Sequence, residues 1–173
     1  MNTHKPINIL LIGNNPRDLG SISQYLRASR RKFHAEAVFC IRDCNKYIIK
    51  NQPDCILIDE NLGQENVEEI LDELNSDYRT NNLAITILRQ ENSPKIYYSA
   101  VQTYVIKEKL SKEGLTDAIL KAIKSKKSQR YFYTTYSSNY SILGGTFSIN
   151  KAKLSNFLMM LKKWVSLGNL AKN

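Results

Sequence analysis

The chain has 173 residues, 42% hydrophobic and 24% charged, enough for one domain with its own core and an appendage. The net charge of +9 is unevenly placed: residues 118–173 hold ten Lys or Arg and no Asp or Glu, whereas the first 117 carry fifteen basic and sixteen acidic groups. Three cysteines and two histidines argue against a disulfide framework, a histidine metal cluster and a His-based triad. The apolar run near the N-terminus is too short for a signal peptide or a membrane span, so a cytoplasmic protein is expected.

INILLIG (7–13) is a continuous apolar run ending in glycine, which predicts a strand buried on both faces. Pro16 suits a first helical turn, and Leu19, Ile22 and Leu26 recur at helical spacing, predicting a helix over 16–32. A strand is expected over 35–41, then a short helix over 43–52 that Pro53 stops. DCILID (54–59) reads as a second doubly buried strand with Asp59 at its C-terminal tip. The acidic stretch 65–78 places Val67, Ile70, Leu71 and Leu74 on one helical face. LAITILR (83–89) predicts a strand, 93–102 a helix and TYVIK (103–107) a short strand. Ser111 is a candidate N-cap for a helix over 111–127, with Leu115, Ile119, Leu120 and Ile123 facing inward.

This βα alternation predicts an α/β fold: a flavodoxin-like, doubly wound parallel sheet of five strands in the order 2-1-3-4-5. Ligand chemistry in such a sheet gathers at the carboxyl ends of the strands. Four places matter there: Gly13-Asn14-Asn15, Asp59, Arg89 and Lys107.

Over residues 6–125 the sequence resembles the receiver domain of bacterial two-component response regulators. LIDENLG carries the resemblance to the phospho-acceptor segment, with Asp59 in the acceptor place. Asn61 matches the position whose carbonyl helps hold a metal. Tyr104 and Lys107 in TYVIK match the switch aromatic and the lysine. The separations, 30 residues from Asp59 to Arg89 and 18 from there to Lys107, fit as well.

The departures are equally informative. Gly13 and Asn14 stand where the family has its acidic pair, Arg89 where it has Ser or Thr, and Glu108 where it has proline. Mg²⁺ prefers an octahedron of hard oxygens that includes carboxylates. Asp59 with only the neutral oxygens of Asn14 and Asn61 makes a poor set, with Glu60 expected to point away. Cofactors are thus expected to be none, with Mg²⁺ weak at best. Asp59 is instead expected to be held by Arg89 and Lys107 in a metal-free pocket; the competing view has Arg89 pointing to solvent and some phosphorylation surviving. No nucleophile–base constellation marks the chain as an enzyme.

The basic extension, 126–173, lies outside the receiver pattern. Tyr, Thr and Ser over 130–150 around Gly144-Gly145 predict a β-hairpin. Leu154, Phe157, Leu158, Leu161, Trp164 and Val165 form one apolar stripe of a predicted partner helix over 151–168. The first reading is an atypical receiver, or pseudo-receiver, that works through protein partners, a histidine kinase or a second copy of itself as a homodimer. The alternative is a regulator phosphorylated at Asp59 whose tail is a small output or nucleic-acid-binding unit. The two part on whether a phosphodonor changes the protein and whether DNA retains it.

Overall fold

The computed structural model describes residues 5–39, 41–93 and 101–142, without the side chains of 41–43, 45, 133 and 135–142. Five strands build the sheet: β1 (Ile7–Ile12), β2 (Phe33–Val38), β3 (Cys55–Asp59), β4 (Ala84–Arg89) and β5 (Thr103–Ile106). They are all parallel, in the order β2-β1-β3-β4-β5. This is the flavodoxin-like architecture expected from the sequence. The described helices are α1 (Pro16–Arg27), α2 (Ile41–Asn51), α3 (Gln64–Ser76) and α4 (Lys112–Ile142).

Side chains alternate across a strand, so each buried strand feeds two cores. On one face Ile9, Leu11 and Leu57 meet Leu19, Ile22 and Leu26 of α1 and Leu115 and Ile119 of α4. On the other, Leu10, Ile12, Ile56 and Ile58 meet Cys44 and Ile48 of α2 and Val67, Ile70, Leu71 and Leu74 of α3. Each fully buried Leu or Ile contributes about 1.5–3 kcal/mol, so the two cores fix which strand ends come together. β3 is buried along its whole length, because it lies mid-sheet under helices on both sides.

Local chemistry sets the element ends. The Asn15 side chain caps α1 by accepting the Arg17 N–H at 3.0 Å, and Pro16 fills the first turn, where no N–H is needed. Ser111 Oγ accepts the Gly114 N–H at 3.0 Å, as its N-cap reading requires. Gly63, at φ +93°, turns the chain from a short 3₁₀ helix (Glu60–Leu62) into α3, a conformation L side chains rarely adopt.

Two expectations are corrected. β2 lies two to three residues earlier than the apolar pattern suggested. It is an edge strand, half-buried and polar at alternate positions, so its bounds follow the register with β1 (Ile7 opposite Phe33) rather than hydrophobicity. Residues 130–142, read as strand-like, are helical and continue α4 past residue 125. No Gly or Pro lies between Gly114 and Gly144. Once the strongly helical stretch before residue 130 has nucleated, extension costs little, and the modest β-preference of Tyr, Thr and Ser does not stop it. Thr134 Oγ1 donates back to the Arg130 carbonyl at 3.0 Å, the usual accommodation of a helical threonine.

The chain divides into two compact units, residues 1–134 and 135–173. The Gly144-Gly145 turn, the stripe Leu154, Phe157, Leu158, Leu161, Trp164 and Val165, and most of the helix expected over 93–102 lie outside the described residues. No helix among the described residues is long and apolar enough to cross a membrane.

Candidate functional site

The carboxyl ends of β1, β3 and β4 and the 3₁₀ turn after β5 (Lys107–Lys109) bring Asn14, Asp59, Glu60, Asn61, Gln90 and Lys107 together. Asp59 is fully buried. Its Oδ1 accepts two hydrogen bonds, from the Asn61 backbone N–H at 2.9 Å and from Lys107 Nζ at 2.9 Å. The first caps the 3₁₀ turn and the second closes an ion pair. Asp59 Oδ2 is buried and has no protein donor. Lys107 Nζ also lies 3.6 Å from Oδ2 of Asp18, on α1, so one ammonium bridges two carboxylates. Opposite charges at this range attract by about 4 kcal/mol at an effective dielectric near 20, which offsets much of the cost of burying Asp59.

Asn61 ties the site together. Its N–H bonds Asp59, and its backbone carbonyl accepts from Asn14 Nδ2 at 2.9 Å. Its side-chain Nδ2 reaches Asp18 Oδ2 at 3.5 Å, and its Oδ1 accepts from Gln90 Nε2 at 3.3 Å. All four polar groups of one residue thus connect the ends of β1, β3 and β4 with α1. The Asn14 amide is oriented by this bond, with its NH₂ toward the Asn61 carbonyl.

Two expected placements change, those of Arg89 and Glu60. Arg89 does not hold Asp59. Its guanidinium donates to the Ser93 carbonyl and stacks over the Tyr104 ring, 5.5 Å from the centroid. Arg89 is the last residue of β4, only partly buried, and a guanidinium there gains an exposed aromatic face and a loop carbonyl without entering the apolar interior. Tyr104, 37% exposed, sits at the surface under that guanidinium. Glu60, expected outside, is 6% exposed and turned inward, where Oε1 accepts the Gln90 N–H while Oε2 has no protein donor. The 3₁₀ turn directly after Asp59 rotates position 60 toward the end of β4. Asp18 and Gln90 were not singled out from the sequence. Of the two, only Asp18 carried a signal, as the acidic residue in the first turn of α1, two residues after Pro16.

Gly13 explains the close packing around Asp59. A Cβ at this position would lie 3.0 Å from Leu19 Cδ2 and 3.2 Å from Asp59 Cβ. The space that a first carboxylate would need is filled by Leu19.

This donor set does not fit a divalent cation. The Asn61 carbonyl receives an N–H from Asn14, Lys107 occupies the Oδ1 edge of Asp59, and Gly13 supplies no side-chain oxygen. Among the described residues no group of three His, Cys, Asp or Glu is arranged to hold a metal.

No family profile and no curated protein matches the sequence. The fold does match solved structures. A sensor protein from Polaromonas aligns with a TM-score of 0.62 at 19% identity, covering 71% of this chain and 99% of that one. The chemotaxis response regulator CheY4 of Vibrio cholerae gives 0.58 at 15%, covering 68% and 99%. The receiver domain of a Pseudomonas aeruginosa sensor histidine kinase, solved with magnesium in its active-site cleft, gives 0.59 at 16%, covering 69% and 99%. The fold of this chain is that of response-regulator receiver domains.

Proposed function

We propose that this protein is a receiver-type signalling module of the two-component class whose pocket is held in one state by fixed side chains and which acts through protein contacts. It binds and presents a surface rather than turning over a substrate. The observation that carries this reading is the Asn14 amide on the Asn61 carbonyl. A neutral donor stands on the oxygen that a divalent ion would share, while Lys107 neutralises Asp59 from the other side. In-line phosphoryl transfer to a carboxylate relies on a metal ion to offset charge on the moving group. Here that charge would meet one ammonium already shared with Asp18.

The readout is fixed in the same sense. Arg89 over Tyr104 gives the aromatic an outward partner, worth about 0.5–1 kcal/mol at an exposed site. Position 89 has no hydroxyl to move. The Glu60 contact to the Gln90 N–H ties the end of β4 to β3.

One feature favours a second reading, phosphorylation at Asp59. Its Oδ2 has no protein donor, as an acceptor oxygen would require. An Mg²⁺ titration followed by amide NMR separates the two. The locked pocket predicts no saturable shifts at residues 14, 59–61, 90 and 107 up to millimolar Mg²⁺. Saturation there would establish a working metal site and favour the second reading.

A further inference from the structure

The sheet's opposite end, where β1 and β2 begin, carries a second constellation that the Asp59 pocket does not use. A cleft of about 500 Å³ lies there between the start of β1, the C-terminal end of α1 and the start of β2. Arg27, Ser29, Arg31, Lys32 and Phe33 line it, with Pro6 completing an apolar wall beside Phe33. The volume falls in the range of sites that take small molecules.

The cleft is built by ordered backbone. The turn after α1 is closed by the Ala28 N–H on the Gln24 carbonyl at 3.0 Å. It is tied to β1 by the Ile7 N–H on the Lys32 carbonyl at 3.0 Å and to α4 by Ser29 Oγ against Thr116 Oγ1 at 3.0 Å. The Arg31 N–H turns back onto Ser29 Oγ at 3.3 Å.

Its charge is not neutralised by the protein. Among the described residues the ion pairs are His34–Glu36, Arg79–Asp77, Lys107 with Asp18 and Asp59, and Lys109–Glu91. Among the described residues Arg27, Arg31 and Lys32 pair with no carboxylate. The neighbouring acids are engaged: Glu36 with His34, and Asp54 as acceptor of the Asn8 N–H at 2.9 Å. Arg31 Nε is a buried donor with no hydrogen-bond partner, and such a donor is costly to leave unsatisfied.

We infer that this cleft is a binding site for a phosphate-bearing ligand, held by Arg27, Arg31 and Lys32, with Phe33 in the lining. A guanidinium fork matches phosphate oxygens. Phe33 adds apolar surface to the lining, which suits a ligand that also carries a flat ring, such as a nucleotide. The inference does not depend on the state of the Asp59 pocket.

Titration calorimetry on the full chain tests it, with pyrophosphate, ADP and a short single-stranded DNA as probes. Saturable binding of at least one probe is expected, weakened about tenfold or more by Arg31→Gln and by Arg27→Gln. Arg27 is exposed, so its variant reports on the cleft even if Arg31→Gln fails to fold. A Lys121→Gln/Lys124→Gln variant on α4 should bind like the parent chain. ADP or pyrophosphate binding that depends on the arginines identifies a small-molecule site. DNA binding with the same dependence identifies the same site as a reader of nucleic-acid phosphate. No saturation with any probe overturns the inference, as does binding that survives both arginine variants or is lost only with the α4 lysines.

Discussion

Lys107 touches Asp59 at 2.9 Å and Asp18 at 3.6 Å, and the two contacts are not equivalent. Asp59 is fully buried and depends on Lys107 for its counter-charge, whereas Lys107 keeps a second carboxylate and some exposure. Removing the cation should therefore cost more than removing the buried acid. Lys107→Met is expected to lose about 3 kcal/mol in urea unfolding, because it leaves a carboxylate uncompensated in the interior. Asp59→Asn is expected to lose about 1 kcal/mol, since the Asn61 N–H keeps an acceptor and Lys107 keeps Asp18. Equal losses would mean that the pair is not asymmetric. Cys55 offers a second test at this scale. Burial on the central strand pushes its thiol up to about 12, with Thr86 Oγ1 3.9 Å away. The thiolate is the reactive form, so at pH 8 about one part in ten thousand is reactive and even that is enclosed. Iodoacetamide followed by peptide mapping should leave Cys55 unmodified in the native chain and alkylate it in urea.

At the scale of elements, Gly13 sets how closely α1 approaches β3. Gly13→Ala places a Cβ against Leu19 Cδ2 and Asp59 Cβ, and an overpacked site typically costs about 1–3 kcal/mol. Urea denaturation should show that loss; an unchanged midpoint would indicate that Leu19 can give way. Elements were also where the sequence was most and least legible. β1, β3 and β4 are doubly buried, so their composition is set by burial and the apolar runs marked them to within a residue. The sheet order followed from handedness and short connections. β2, on the sheet edge, had no such signal. α4 was read correctly over its core-facing turns, but its continuation through 130–142 was read as strand, because propensity is weaker than the cooperativity of a helix already formed. In the site, Asp59, Asn61, Asn14 and Lys107 were legible because strand ends locate them. The inward turn of Glu60 and the outward turn of Arg89 were not, since each depends on where a side chain finds a partner after the backbone has set.

At the scale of the molecule, the receiver fold persists while the chemistry at its rim is rebuilt from an amide, an ammonium and a glycine. The two ends of the parallel sheet then differ in character. One holds a hydrogen-bonded network around Asn61 that leaves Asp59 Oδ2 and Glu60 Oε2 without a donor, and the other holds cations that pair with no carboxylate among the described residues. The proposed function has this module signal by what docks on it, not by the state of its aspartate. The most direct test is incubation of the full chain with acetyl phosphate and Mg²⁺, followed by mass spectrometry of the peptide containing Asp59, with Asp59→Asn as control. The account predicts no added phosphoryl group at Asp59 and no change in oligomeric state on adding the phosphodonor. Stoichiometric, Mg²⁺-dependent labelling of Asp59 would contradict it.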